Sequence, residues 1–193
     1  MAGPRKILAF AGSTRMDSFN KKLIRVAVTG AQAAGADVTL IDLRDFPLPV
    51  YDGDLEVRDG LPPAAKQFKQ LLLANQGLLI ASPEYNSSIP GGLKNAIDWA
   101  SRSEPGEMPL ACFVGKTAAL MSASPGGLGG LRGLVHLRAM LGNIHVLVLP
   151  DQFAVSRAHE AFNPDGSLKD ARQQSAVESL GRELARVLAK LHG

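Results

Sequence analysis

The 193-residue sequence predicts an α/β fold, with a five-stranded parallel sheet sandwiched between two layers of helices. Three observations carry that prediction. Apolar, strand-like runs alternate with helix-period segments along the chain, and such alternation builds a parallel sheet through right-handed crossovers. Ile7–Ala11 and Gly77–Ser82 are continuously apolar rather than alternating, as in strands covered on both faces. Glycine, proline and polar residues collect after the first, third and fourth strands, which brings them together at one edge of the sheet.

The first strand is Ile7–Ala11, ended by Gly12. A polar turn, Ser13-Thr14-Arg15-Met16-Asp17-Ser18, leads into a helix over Asn20–Ala34. Its apolar face holds Leu23, Val26, Ala27, Gly30 and Ala34, and Gly35 is its C-terminal cap. Asp37–Leu43, rich in β-branched and aliphatic residues, is the second strand. Arg44–Leu61, punctuated by Pro47, Pro49, Gly53 and Gly60, reads as irregular; a loop of that length is usually functional or meets a partner. Pro62 and Pro63 open a helix that continues through Ala65, Phe68, Leu71, Leu72 and Ala74. Gly77–Ser82 is the third strand; it breaks at Pro83–Gly92, and a helix over Leu93–Ala100 and a polar loop over Ser101–Pro109 follow. Lys116–Ser122 is the fourth strand, succeeded by the glycine-dense Ser124–Gly133 and a helix over Leu131–Leu141. Asn143–Leu149 reads as the fifth strand and Pro150–Leu168 as irregular. The last helix, Asp170–Leu191, is amphipathic, with Val177, Leu180, Leu184, Val187, Leu188 and Leu191 inward.

Five strands joined in this way take the flavodoxin-like order 2-1-3-4-5, with the ligand site outside the strand C-termini where the order reverses between strands 1 and 3. No composition break divides the chain, so residues 1–193 read as one domain. The net charge of +3 comes from scattered Lys and Arg, which argues against a nucleic-acid partner. One cysteine, Cys112, excludes an internal disulfide and a Cys-based metal cluster, and its apolar neighbours predict a buried, inert thiol. His136, His145, His159 and His192 show no ligand spacing, so no metal is expected, and His145 is placed in the fifth strand at the core or its boundary. The N-terminus has no signal-peptide apolar region, and no apolar run approaches the roughly 20 residues that span a bilayer. A soluble cytoplasmic protein without a membrane partner is the expectation.

The chemistry lies in three loops. Ser13 and Ser18 offer hydroxyls, Asn20 an amide and Arg15 a planar guanidinium at the start of a helix, where free N–H groups and the dipole attract a phosphate. The alternative is an ordinary turn in which Ser18 only caps the helix. The second loop, Pro83–Gly92, is held rigid by Pro83, Pro90, Gly91 and Gly92 and is poor in ionisable groups, which suits a flat heterocycle flanked by Tyr85. In the third, Ser124–Gly130, glycines either admit the other edge of that ring or serve only as turn residues. No G-x-x-x-x-G-K-[ST] occurs, and Gly127–Arg132 fails G-x-G-x-x-G at its last position. The acidic pair of a phospho-receiver is also missing.

Gly12-Ser13-Thr14-Arg15-x-x-Ser18-x-Asn20, together with Pro83-Glu84-Tyr85-Asn86-x-Ser88-x-Pro90-Gly91-x-Leu93-Lys94-Asn95-Ala96-Ile97-Asp98-Trp99, resembles the NADPH-dependent FMN reductase family. That family includes bacterial quinone, chromate and azo-dye reductases. The resemblance implies a flavodoxin-like fold holding FMN non-covalently. Ser13, Arg15, Ser18 and Asn20 would hold the phosphate. Pro83, Glu84, Tyr85 and Asn86 would lie along the isoalloxazine, mainly through backbone amides, and Ser124, Gly126 and Gly127 would approach its pyrimidine edge. Leu93, Ile97 and Trp99 are expected to be packing residues, and Lys94 and Asp98 to stand at a subunit contact.

The resemblance also implies ping-pong oxidation of NADPH or NADH and reduction of a small-molecule acceptor. The flavin performs this chemistry, so no catalytic side chain is expected. Arg44, Arg58 and Arg102 either reach a 2′-phosphate of the nicotinamide nucleotide or are solvated surface charges. Two other readings stand beside the reductase: a flavodoxin-type electron carrier, disfavoured by the basic charge, and a flavin-free regulatory relative, disfavoured by the intact phosphate-loop residues. A homodimer or homotetramer is expected, with Arg44–Leu61 and Glu84–Leu93 as candidate interface segments.

Overall fold

The computed structural model describes residues 5–192. Its sheet contains β1 (Lys6–Ala11), β2 (Asp37–Asp42), β3 (Gly77–Ala81), β4 (Thr117–Ala123) and β5 (Leu147–Val155). All neighbours are parallel, in the order β2-β1-β3-β4-β5. This is the flavodoxin-like arrangement that the alternation of elements predicts. The helices are α1 (Phe19–Ala33), α2 (Gly53–Asp59), α3 (Pro63–Ala74), α4 (Gly91–Ala100), α5 (Leu131–Asn143), α6 (Ala158–Ala161) and α7 (Ala171–Leu191). Among the described residues no helix is long and apolar enough to cross a membrane.

Strand side chains alternate between faces, and each face has its own core. Ile7, Ala9, Leu79, Ala81, Ala119 and Met121 pack with Leu23 and Ala27 of α1 and Val177, Leu184 and Leu188 of α7. Leu8, Phe10, Leu78, Ile80, Ala118 and Leu120 face the other way, toward Phe68 and Leu72 of α3, Leu93 and Ile97 of α4, and Leu134 and Leu137 of α5. β1, β3 and β4 are therefore buried almost throughout, and the edge strands β2 and β5 only in part. On the first face α1 and α7 cross backbone to backbone: a Cβ on Gly30 would lie 2.0 Å from the Glu178 carbonyl oxygen, and one on Gly181 2.0 Å from that of Ala27. Gly35 ends α1 as predicted, with φ +78° and the Ala36 N–H reaching back to the Ala31 carbonyl oxygen at 3.1 Å, a Schellman closure.

Three predicted segments differ from the structure. Arg44–Leu61 is not wholly irregular, since it contains a 3₁₀ turn at Leu43–Asp45 and then α2. No residue of α2 is buried, so it carries no apolar stripe; its marks are local, with Asp52 accepting the Asp54 N–H at 2.9 Å and Gly60 at φ +73°. The fifth strand begins at Leu147 rather than Asn143 and continues through Pro150 to Val155. Its register shifts between Ala118 and Leu120, a bulge on an edge strand, where proline is tolerated. His145 consequently lies in the exposed turn before β5, at φ +67°, and not in the strand. In α7 the inward face is as predicted except for Leu191, which is 54% exposed in the final turn. Cys112 is buried as expected, and that burial pushes its thiol up to about 11.

Candidate functional site

The loops after β1, β3 and β4 meet at the C-terminal edge of the sheet. The first begins at Gly12, whose N–H donates to the Ala81 carbonyl oxygen at 2.8 Å. From Ser13 to Phe19, only the Arg15 N–H has a protein acceptor among the described residues: it donates to Ser13 Oγ at 3.3 Å. The remaining N–H groups, clustered at the start of a 15-residue helix, form an anion-binding surface. Ser18 caps α1 by accepting the Asn20 N–H at 3.2 Å, so the capping role is real, and the hydroxyl hydrogen is left to donate. Arg15 is exposed, and its guanidinium has no hydrogen bond or ion pair among the described residues. Asp17 pairs with Lys22 at 2.8 Å, and Lys22 holds the Asp17 carboxyl below the usual range.

Asn20 sits in this loop but turns inward. Its Nδ2 donates to the Ala123 carbonyl oxygen at 2.9 Å, its Oδ1 accepts the Ala123 N–H at 2.9 Å, and the residue is 2% exposed. The side chain is thus a clip between the first turn of α1 and the last residue of β4. It joins the first loop to the loop that begins at Ser124.

After β3 the chain makes a narrow turn. Tyr85 and Ser88 exchange two backbone hydrogen bonds, of 2.9 and 3.0 Å, around Asn86 (φ +51°) and Ser87 (φ +65°), the two left-handed residues of a type I′ turn. Pro83 and Pro90 are buried at its ends, while Tyr85 is 49% exposed. Glu84 points away from solvent. Its Oε1 accepts Arg132 Nε and Nη2 at 3.0 and 2.7 Å, and its Oε2 accepts the Gly133 N–H at 3.0 Å. Burial raises the Glu84 carboxyl, but the Gly133 N–H and the Arg132 guanidinium outweigh it and hold the group below the usual carboxylate range. Glu84 therefore stays ionised and caps α5, which has no local side-chain cap. A second tie joins Ser88 Oγ to His136 Nδ1 at 3.0 Å. Arg132 and His136 carry no sequence signal for this role, because their partners lie 48 residues away in the chain.

The glycines of the loop after β4 divide by cause. Gly129 and Gly130 have φ of +64° and +95°, and a Cβ on them would meet the β5 backbone at 2.8 Å and Ser122 Oγ at 1.9 Å. Those two are structural. Gly127 has open space around it, and a Cβ on Gly126 would only touch Ser124 Oγ at 3.8 Å. Neither has positive φ, so nothing within the protein demands glycine there. What their bareness leaves is room against the backbone, which a flat ligand needs.

Behind the second loop, the Leu93–Trp99 segment resolves into support. Leu93, Ile97 and Trp99 are buried, as expected. Trp99 Nε1 and Asn95 Nδ2 each donate to the Pro49 carbonyl oxygen at 2.8 Å, and the Tyr51 N–H donates to Asn95 Oδ1 at 2.8 Å. These bonds strap the segment before α2 onto α4. Lys94 and Asp98 pair with each other at 2.6 Å on the exposed side. No group of three or more His, Cys, Asp or Glu residues that could hold a metal occurs among the described residues.

The structure thus brings Ser13, Arg15, Ser18, Tyr85, Asn86, Ser124, Gly126 and Gly127 to one edge, with the Asn20 and Glu84 side chains turned into its framework. An NAD(P)H-dependent FMN reductase of Pseudomonas aeruginosa is 37% identical over 195 residues, covering 100% of both chains. An NADPH:quinone oxidoreductase of Arabidopsis thaliana is 34% identical over 194 residues, covering 97% of this chain and 94% of its own. Among solved structures, the flavoenzyme NAD(P)H:acceptor oxidoreductase of Paracoccus denitrificans superposes with a TM-score of 0.78 at 28% identity, over 98% of this chain and 99% of the other. The family model for NADPH-dependent FMN reductases matches residues 5–160. With a family model that matches most of its length and a reductase relative 37% identical over its whole length, the chain belongs to the NADPH-dependent FMN reductase family.

Proposed function

We propose that this protein is an NAD(P)H-dependent FMN reductase that passes electrons to quinones or similar small acceptors. The observation that carries the reading is the first loop: a run of unpartnered N–H groups beside an unpaired arginine, a built site for a phosphate monoester. The residues fit the group. Ser13, Arg15 and Ser18 hold its phosphate, and Asn20 fixes the loop that does so. Pro83, Glu84, Tyr85 and Asn86 offer their backbone along the ring, and Ser124, Gly126 and Gly127 leave its pyrimidine edge unobstructed.

When bound, FMN supplies two-electron hydride chemistry. The protein's part is to bind, orient and polarise. Backbone N–H groups of the third loop would favour negative charge at the pyrimidine edge without reorganising. The two carboxylates of the three loops are both held ionised, Asp17 by Lys22 and Glu84 by the Gly133 N–H and Arg132, so neither stores a proton for transfer at neutral pH. Donor and acceptor visit the same open edge in turn, which gives ping-pong kinetics. An open edge selects acceptors by size and potential, so chromate, azo compounds and free flavin are further acceptors under this reading. Val50 and Val57, 83% and 90% exposed on the Arg44–Leu61 segment, support a homodimer or homotetramer that covers them.

The test is an anaerobic stopped-flow experiment on FMN-reconstituted protein. Mixing with NADPH or NADH bleaches the flavin band, and a quinone restores it. Tight FMN binding with no bleaching by either donor would instead indicate an electron carrier. Light scattering after size exclusion checks the assembly, and a single 20.4 kDa species would rule it out.

A further inference from the structure

Three arginines outside the phosphate loop are candidates for the nicotinamide nucleotide, and tertiary structure separates them. Arg58 grips Asp59 with Nε and Nη2, at 3.0 and 2.8 Å. Arg102 donates from Nε to both oxygens of Glu56, at 3.0 and 2.9 Å, and stacks over the Tyr51 ring at 5.6 Å. Arg44 has neither kind of partner: its guanidinium makes no hydrogen bond or ion pair among the described residues.

Arg44 instead lines a cleft of about 520 Å³ with Thr14, Phe46, Leu48, Gly92 and Asn95. That volume suits part of a dinucleotide, since small-molecule pockets run from roughly 300 to 1,000 Å³. Thr14 makes one wall, so the cleft borders the phosphate loop directly. Phe46 and Leu48 give an apolar surface for a base and ribose, and Arg44 is the only charged residue in the lining. The nearby carboxylates lie outside this lining, and Asp42 spends its Oδ1 on the Arg44 backbone N–H at 3.0 Å rather than on the guanidinium. Asp42 pairs with Lys21 at 2.5 Å, and Asp42 and Asp45 both line the adjoining cleft beside Ala11 and Ile24. A carboxylate would hold a free ribose diol and repel a phosphate, whereas a guanidinium favours the phosphate.

We infer that this cleft takes the 2′-phosphoadenosine end of NADPH, with Arg44 on the 2′-phosphate, and that Arg44 sets the preference for NADPH over NADH. The inference rests on the NAD(P)H-dependent reading above and adds to it a site and a selecting residue. Because Arg44 is exposed and unpaired, Arg44→Ala leaves the fold intact.

The experiment titrates adenosine 2′,5′-bisphosphate and adenosine 5′-monophosphate into the FMN-loaded wild type and Arg44→Ala by calorimetry, and measures kcat/KM for NADPH and NADH. The wild type is expected to bind the bisphosphate at least about tenfold more tightly than the monophosphate, and Arg44→Ala to lose that difference. The NADPH:NADH ratio of kcat/KM should fall about 10- to 100-fold, the scale of one charge-assisted contact. Equal binding of the two nucleotides by the wild type, or a ratio unchanged in the variant, would overturn the assignment. A wild type that oxidises neither donor would defeat the reductase reading, and the nucleotide titration would still decide whether the cleft recognises a 2′-phosphate.

Discussion

Replacing Asn20 by alanine distinguishes a framework residue from a direct ligand. The side chain makes two hydrogen bonds of 2.9 Å to the backbone of Ala123, and both residues are buried, at 2% and 3% exposure. Asn20→Ala leaves one N–H and one C=O without partners in a region water does not reach. Each orphaned group costs about 1–3 kcal/mol, so the loss should total about 2–6 kcal/mol. That is a large part of the roughly 5–15 kcal/mol that stabilises a typical domain. In a chain of this size each kcal/mol lowers Tm by roughly 2–4 °C, which places the expected drop between about 4 and about 24 °C. The assay is urea and thermal unfolding of the flavin-free protein, because bound FMN would add its own linkage. Asn20→Asp is the companion variant. It keeps an acceptor for the Ala123 N–H but sets an oxygen against the Ala123 carbonyl, and should be destabilised without any cavity. If flavin-free Asn20→Ala melts with the wild type and only FMN affinity falls, the clip is refuted and Asn20 acts directly on the phosphate.

Arg15→Ala should behave in the opposite way, with unfolding unchanged and FMN affinity weakened by about 1.5–3 kcal/mol in a flavin-quenching titration; unchanged affinity would refute its phosphate contact. Gly181→Ala drives a Cβ to within 2.0 Å of the Ala27 carbonyl oxygen, so an overpacking cost of about 1–3 kcal/mol or more should exceed the roughly 1 kcal/mol of helix propensity gained. Gly142→Ala, with nothing within 4 Å of the new atom, should be neutral or stabilising in the same denaturation experiment. The Glu84 carboxyl is lower in the folded state than its ordinary 4.5, so its stabilisation is complete above about pH 4.5 and fades as the pH falls through the lowered value. Glu84→Gln should therefore be less stable at neutral pH, with the gap to wild type narrowing toward pH 3 in urea midpoints.

The sequence by itself determined the sheet, the order of its strands and the three site loops. Strands covered on both faces must be apolar through their centres, and Ile7–Ala11, Leu78–Ala81 and Ala118–Met121 are. The turns between them need residues such as Gly12, Ser18 and Pro83, whose conformational and capping preferences are local and therefore readable. Only the tertiary structure decided what those residues touch. Asn20 reads as a phosphate ligand from its neighbours in the chain, yet its partner, Ala123, lies 103 positions away. Glu84 reads as part of the ligand loop, and its carboxylate proves to cap α5. Helix α2 leaves no periodic trace in the sequence because none of its residues is buried, and Ile144 and Val146 alternate with polar Asn143 and His145 like a strand although the chain there closes α5 and turns. The arginines show the division most plainly. Arg44, Arg58 and Arg102 are alike as letters in a sequence, and what separates them is that Asp59 and Glu56 lie within hydrogen-bonding reach of two guanidinium groups while, among the described residues, no carboxylate pairs with the third. Charge pairing depends on distance through space, and the linear order of residues does not contain it.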